Sequence, residues 1–231
     1  MQFMSLVKFF LICPILFCAQ AIYAQTDSSS YIVTYLEVDP ITIEESIELL
    51  GQISELSSDL QENIFYIVLQ RIGRPNHFAI IERWDSNSSM NNHLRSSVKL
   101  DFQKNITPFL YSPYDERIHS ALDINDVIKE NAKTNDIVYG VTHIDIVPTS
   151  LDTGIKIIKD LVTDSRNDDG NIFFDVLTQE SRRNHMTLIE SWDNARNQTS
   201  HSLQEHSSSF RSLLLPISGS LYDERIYKKI W

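Results

Sequence analysis

The sequence contains one domain-sized unit twice. The segments at positions 63–85 (NIFYIVLQRIGRPNHFAIIERWD) and 171–193 (NIFFDVLTQESRRNHMTLIESWD) align without a gap at an offset of 108 residues. The same offset relates two identical YDERI pentapeptides, at positions 114–118 and 222–226. Because a chance match would not keep one register over this length, the pattern indicates an internal duplication.

The duplication predicts two domains within the 231 residues. We place the first unit at 31–119, a linker at 120–136 and the second unit at 137–231, which gives domains of ordinary size. A hydrophobic content of 42% with 22% charged residues is typical of chains that bury a core. The net charge of −11 leaves no basic stripe, so neither nucleic acid nor anionic lipid is an expected partner.

Residues 1–24 have the pattern of a cleaved signal peptide. Lys8 precedes an apolar run at 9–17, and Ala24 closes one of two small-residue cleavage sites. An uncleaved anchor is the alternative, although the run is shorter than the roughly 20 residues that span a bilayer. We therefore predict export, to the periplasm or outside the cell, with no membrane contact after cleavage. Both cysteines, Cys13 and Cys18, lie in this segment, so the mature chain is expected to lack disulfides and thiolate ligands.

Each unit reads as strand, helix, strand, strand, helix, strand. In the first unit a β-rich stretch at 31–38 precedes a capping box of Thr42 and Glu45, and two further strands form a hairpin before a closing strand at 111–118. This is the element order of a ferredoxin-like α+β unit. One sheet face packs on helices and the other needs cover. We expect the two copies to cover each other around a shared core, which would make the protein a monomer with an internal pseudo-dimer.

Both copies carry a Glu-x-Trp strand end followed nine residues later by a histidine: Glu82, Trp84 and His93, then Glu190, Trp192 and His201. Copy two also has a turn of sequence DGN at 169–171 before its second strand. This combination resembles the antibiotic biosynthesis monooxygenase family, over both repeats. Copy one departs from the family pattern because Glu62 stands where copy two has Gly170.

The resemblance implies an α+β fold in which two fused ferredoxin-like repeats form an intramolecular pseudo-dimeric α+β barrel. It also implies oxygenation of a small electron-rich aromatic or quinol-like compound without any cofactor, neither metal nor flavin. Such a substrate anion can itself transfer an electron to oxygen, so the protein needs to supply a base, a dry pocket and orientation.

Three histidines are candidate catalytic bases, because the pKa of imidazole lies near neutrality. His93 and His201 follow the Glu-x-Trp motif, and hydrogen bonding to a carbonyl at a helix end is the alternative for both. His143 lies in the first strand of copy two at the position of Tyr35 in copy one. This difference indicates that the two pockets are not equivalent, although structural packing is the alternative for His143.

Three aromatic residues, Trp84, Trp192 and Tyr35, are candidate substrate-binding residues, with core packing as the alternative for the tryptophans. His77 and His185 fall on the opposite strand face beside the hairpin and are expected to be solvated. We interpret the repeated YDERI as an ion pair or contact related by the pseudo-twofold axis. The sequence has no phosphate-binding loop, no Gly-x-Ser-x-Gly and no His/acid cluster at ligand spacing, so no metal is expected.

Two other function classes remain open. A haem-binding or haem-degrading protein is one, but relatives that degrade haem have an asparagine in the first strand, and 31–38 and 139–146 contain none. A non-catalytic binding or interaction module is the other, because a fold can persist without its chemistry. If the chain is an oxygenase, copy two is expected to carry more of the activity, because it has Gly170, His143 and His201.

Overall fold

The computed structural model describes residues 28–125 and 136–231. The first copy contains β1 Ser30–Glu37, α1 Ile43–Ser58, β2 Asn63–Arg71, β3 His77–Trp84, α2 Asn87–Leu94, α3 Ser97–Ile106 and β4 Asp115–Asp123. The second contains β5 Val138–Asp145, α4 Leu151–Ser165, β6 Asn171–Gln179, β7 His185–Trp192, α5 Ala195–Leu203, α6 Glu205–Leu214 and β8 Asp223–Lys229. The predicted signal peptide and most of the predicted linker lie outside the described residues.

The eight strands form one closed antiparallel barrel in the order β1-β3-β2-β8-β5-β7-β6-β4. The last strand of each copy joins the two halves: β4 pairs with β6 and β8 pairs with β2. Closure leaves no free sheet edge, and a free edge would be a template for aggregation. The predicted pseudo-dimeric α+β barrel of two ferredoxin-like repeats is therefore confirmed.

Successive side chains of each strand point to opposite faces, so one set lines the barrel interior and the other set packs into two outer cores. The interior is apolar at its centre, where Val33, Leu69, Val141 and Ile189 pack together. Outside the barrel, the amphipathic helices α1 and α3 cover the sheet of copy one, and α4 and α6 cover that of copy two. These outer layers lie between sheet and helices, and they hold most of the predicted site residues.

Two local predictions are wrong. The closing strand of copy one starts at Asp115 and extends to Asp123, because its second half pairs with β6 of the other copy. The predicted linker therefore begins inside a strand. The predicted capping box is also absent: Thr42 makes no side-chain cap, and its hydroxyl instead donates to the Asp39 carbonyl at 3.0 Å within a short 3-10 turn at Pro40–Thr42.

The YDERI motifs form two equivalent ion pairs at one mouth of the barrel. Arg117 pairs with Asp115 at 2.6 Å, and Arg225 pairs with Asp223 in the same way. Both guanidinium groups lie over the ring of Tyr35, at 5.0 and 5.6 Å from its centroid. The motif thus gives ion pairs related by the pseudo-twofold axis, as predicted, and both meet at one tyrosine of copy one.

Among the described residues, no helix has both the length and the apolar character that a membrane crossing requires.

Candidate functional site

The candidate site of copy two lies between the sheet and helices α5 and α6. Glu190 and Trp192 are two residues apart on β7 and therefore face the same side, toward the helices. Both are buried. Helix α5 begins where the Asn194 side chain accepts a hydrogen bond from the Asn197 backbone N–H at 3.0 Å, an N-cap that fixes the start of the helix. This helix brings His201 over the tryptophan.

His201 and Trp192 stack, with ring centroids 4.6 Å apart and an interplanar angle of 26°. The indole Nε1–H donates to Glu190 Oε2 at 2.8 Å, and His201 Nε2 lies 3.8 Å from the same carboxylate oxygen. The other imidazole nitrogen, Nδ1, is 2.8 Å from Asp168 Oδ2. With its proton on Nδ1 and shared with Asp168, the ring presents Nε2 as an acceptor beside Glu190.

Burial changes the acidity of these groups. It raises the pKa of Glu190 to about 8, with a further increase from the nearby Glu224 carboxylate and a decrease from the Trp192 hydrogen bond. Burial lowers the pKa of His201, although Asp168 opposes that change. Near neutral pH the site therefore combines a neutral imidazole with a largely protonated carboxyl. A buried acid and base with shifted pKa values are typical of functional sites.

The site has a small inner cavity and a larger outer cleft. The cavity, about 10 Å³, has room for one water molecule and is lined by residues that include Phe174, Glu190, His201, Ser207 and Glu224. The cleft is a largely apolar groove of about 470 Å³ on the surface of α6 and the following loop. Arg211 and Tyr222 line both spaces, so these two side chains separate the cleft from the stacked pair.

Copy one has the same stacked Trp–His pair, but a side chain fills the space beside it. The ring centroids of Trp84 and His93 are 4.4 Å apart, and the Trp84 indole donates to Glu82 at 3.1 Å. Lys99, which is fully buried, places its Nζ 3.0 Å from Glu82 Oε1 and 2.7 Å from Glu116 Oε2. The corresponding residue of copy two, at the repeat offset, is Ser207. A lysine thus occupies in copy one the space that the serine leaves open in copy two.

His93 differs from His201 in its contacts. Its Nε2 is 3.4 Å from Glu82 Oε2, but neither ring nitrogen makes a hydrogen bond of acceptable geometry in the described structure. Burial, with Lys99 nearby, lowers the pKa of His93 to about 4. His93 is therefore a neutral ring packed on Trp84, and it lacks the carboxylate partner that Asp168 provides for His201.

Tyr35 and His143 lie in a different place, inside one mouth of the barrel. Both line a cavity of about 110 Å³ together with the YDERI ion pairs. Burial and Arg117 lower the pKa of His143 to about 4, and His143 Nε2 is 3.2 Å from His185 Nδ1. A second opening of about 530 Å³ at this end also contacts Tyr35. The barrel wall separates these spaces from both Trp–His pairs. The six predicted residues therefore lie in three separate places, with two residues in each.

The prediction that His77 and His185 are solvated is wrong. Their side chains are only 16% and 14% exposed, and they contact Glu37 and Asp145 at 3.4 and 3.5 Å. They lie on the strand face opposite the Glu-x-Trp residues, as predicted, but that face is the barrel interior. The antiparallel pairing places each histidine opposite its acidic partner on the neighbouring strand, and this cross-strand contact accounts for the burial.

Gly170 precedes β6 with φ = 78°, in the left-handed region expected of this turn. Its carbonyl accepts a hydrogen bond from the Asp193 backbone N–H at 2.9 Å. Glu62 makes the equivalent bond to Asp85 at 3.0 Å without a positive φ. The turn of copy one therefore does not need glycine.

The sequence analysis did not predict three residues that lie beside the Trp–His pairs. Lys99 is one. Asp168 and His206 are the others: the Asp168 carboxylate lies 2.8 Å from His201 and 3.0 Å from His206. No His/acid cluster stands at ligand spacing in the sequence. The fold nevertheless brings one together, because the turn after α4 places Asp168 at the α5–α6 junction, far along the chain from either histidine.

The fold and this site define a class: a closed barrel of two ferredoxin-like units, each with a stacked Trp–His pair beside a buried glutamate. The chain belongs to the antibiotic biosynthesis monooxygenase family, whose model matches residues 29–105 and 137–212, one match in each copy. A comparison with curated protein sequences found no significant match.

Solved structures share the whole two-copy architecture at low sequence identity. A candidate monooxygenase from Fusobacterium nucleatum is 14% identical, with a TM-score of 0.78 over 88% of this chain and 93% of that one. A candidate monooxygenase from Lactobacillus acidophilus is 13% identical, with a TM-score of 0.68 over 87% and 94%. An anthrone oxidase-like protein is 11% identical, with a TM-score of 0.69 over 89% and 92%. At these identities the likeness shows the fold alone.

Proposed function

We propose that the protein is a monooxygenase that oxidises a small electron-rich aromatic or quinol-like compound in copy two, without a cofactor. One observation carries the proposal: in copy two the stacked Trp192–His201 pair borders a cavity that leads toward an apolar cleft, whereas Lys99 fills the matching space in copy one. Family membership and the likeness to an anthrone oxidase-like protein support the reaction class.

The cleft suits the proposed substrate. Its volume of about 470 Å³ lies within the roughly 300–1,000 Å³ of small-molecule sites. Because the inner cavity holds only about one water, an aromatic ring reaches the stacked pair only if Arg211 and Tyr222 move aside. A haem would require a much larger displacement of α5 and α6, so the haem alternative is not favoured.

The proposed chemistry requires oxygen and substrate alone. His201 Nε2 accepts a proton from the substrate hydroxyl, and the resulting anion transfers an electron to O₂. Recombination of the two radicals forms a carbon–oxygen bond. The peroxide takes back the proton held by His201. The hydroperoxide then loses water and leaves a carbonyl on the ring carbon, which had carried one hydrogen. One oxygen atom enters the product, the other leaves as water, and the substrate supplies all four electrons.

The test is oxygen uptake with a panel of hydroquinones and anthrones, in EDTA to exclude metals. We expect turnover by the intact protein, and about a 10²–10⁴-fold loss for His201→Ala, which removes the base. Ser207→Lys, which introduces the lysine of copy one, should cause a comparable loss. His93→Ala and His143→Phe are the matched controls and should retain activity.

Two outcomes would overturn the proposal. One is oxygen consumption no faster than in buffer across the panel, which would favour the binding-module alternative. The other is an equal loss of turnover in His93→Ala and His201→Ala, which would remove the asymmetry between the copies. Each variant is first checked by circular dichroism and thermal unfolding, so that loss of folding is not read as loss of chemistry.

A further inference from the structure

Three side chains of copy two converge on one point beside the stacked pair. Asp168 Oδ2 lies 2.8 Å from His201 Nδ1 and 3.0 Å from His206 Nε2, and the three ligand atoms all lie within 4.8 Å of one another. We propose that Asp168, His201 and His206 form a binding site for a divalent transition-metal ion of the Zn²⁺ class. This inference goes beyond the proposed function and does not depend on it.

The donor atoms are close to the spacing that zinc requires. Zn²⁺ binds imidazole nitrogen and carboxylate oxygen at about 2.0–2.2 Å in a tetrahedron, so neighbouring ligand atoms lie roughly 3.3–3.5 Å apart. The two contacts to Asp168 would lengthen by a few tenths of an ångström. The two imidazole nitrogens, which lie within 4.8 Å of each other, would come to the same spacing.

The present contacts leave one nitrogen poorly satisfied. His206 Nε2 is buried and close to the carboxylate, yet it lacks hydrogen-bond geometry toward any described group. The same Asp168 oxygen already faces His201 Nδ1. A metal ion between the three groups would give both imidazole nitrogens and the carboxylate a favourable partner, and two imidazoles with one carboxylate form a donor set that first-row divalent metals accept.

The surroundings match those of a ligating histidine. On the other side of the His201 ring, Nε2 lies 3.8 Å from Glu190 Oε2, and a carboxyl oxygen on that side can orient a metal-bound imidazole. The side chains of Asp168 and His206 are 16% and 19% exposed, which provides access from solvent. Three protein ligands would leave one coordination position open.

Copy one is an internal control. At the repeat offset, Leu60 and Val98 replace Asp168 and His206, and only the histidine, His93, is retained. Copy one therefore cannot form the site, and one ion per chain is expected. A metal on Nδ1 of His201 would keep the proton on Nε2, so the metal-bound form would lose the proton acceptor that the proposed oxygenation uses.

The experiment measures Zn²⁺ binding to the full mature chain, without a histidine tag, after EDTA treatment and buffer exchange. Isothermal titration calorimetry with ZnCl₂ should give one site per chain. His206→Ala and Asp168→Asn should each weaken binding by about 100-fold or more, because removing a ligand exceeds the 10–100-fold effect of second-shell changes. His93→Ala should bind as tightly as the unmodified protein.

Two further readouts do not depend on activity. Zn²⁺ should raise the melting temperature of the unmodified protein and of His93→Ala, but not of His206→Ala, because binding stabilises only the form with the intact site. Co²⁺ should give the visible absorption of a tetrahedral N/O site. Binding of less than one Zn²⁺ per chain at micromolar concentrations, or equal affinity in His206→Ala, would overturn the proposal. Since oxygen uptake is assayed in EDTA, failure of either proposal is seen independently.

Discussion

Lys99 offers the clearest test of how the two copies differ. It is fully buried between Glu82 and Glu116, with its Nζ 3.0 and 2.7 Å from their carboxylates. Lys99→Met keeps most of the side-chain volume and removes the charge. Because the buried Glu82 and the partly exposed Glu116 then lack their cation, we expect a loss of about 3–5 kcal/mol in the free energy of unfolding.

The size of this loss follows from the contacts that the two glutamates keep in Lys99→Met. The indole of Trp84 still donates to Glu82 at 3.1 Å, so that carboxylate keeps one neutral partner. The methionine fills the space, so a cavity contributes little. The remaining effect is the unpaired charge, and it corresponds to a decrease in melting temperature on the order of 10 °C for a chain of this size.

The assay is urea unfolding of both proteins at pH 7, followed by tryptophan fluorescence. A control variant that also carries Glu82→Gln and Glu116→Gln has no unpaired carboxylate at this position and should lose much less stability than Lys99→Met alone. A loss below about 1 kcal/mol for Lys99→Met, or an equal loss in the control, would refute this reasoning.

Two other predictions concern the barrel. His119 is buried, and burial lowers its pKa to about 4. The neutral ring therefore contributes about 3 kcal/mol to the free energy of unfolding above pH ~6.5, and this contribution is lost as the pH falls through about 4. His119→Gln should reduce the pH dependence of the free energy of unfolding, measured with urea, between these two pH values, and an unchanged pH dependence would contradict this. Because each copy covers the other's sheet, the protein should be monomeric, and light scattering that gives a dimer mass at micromolar concentration would refute that.

The fold was predictable because the same pattern of strands and helices occurs in both copies of the sequence. The alternation of β2 and β3 and the helical spacing in α1 recur in copy two, so each assignment had an independent repeat. The end of β4 was not predictable, since the strand continues past its pairing with β1, which ends at Ser120, by pairing with β6 of the other copy. Local propensity carries no information about a partner strand so far along the chain.

The site was predictable only in part. The Glu-x-Trp motif and the histidine nine residues later do form a stacked pair in each copy. The burial of Lys99 was not predicted, because a single lysine within an amphipathic helix is normally exposed to solvent. Its burial depends on Glu116, which lies on β4 and contacts it across the fold. Asp168 likewise meets His201 across 33 residues of sequence, a proximity that only the tertiary fold creates.

Fusion of the two copies explains how such different sites can coexist. In a symmetric dimer a substitution in the pocket changes both sites at once, whereas a fused chain can change one. Copy one has a lysine whose single positive charge contacts both Glu82 and Glu116. Copy two retains Glu190 without that cation, and the pKa of Glu190 rises to about 8 as a result of burial and the nearby Glu224. A structural role alone would favour the arrangement with a cation in both copies. The retention of an uncompensated carboxyl beside a cavity therefore argues that the second site is kept for chemistry or binding rather than for stability.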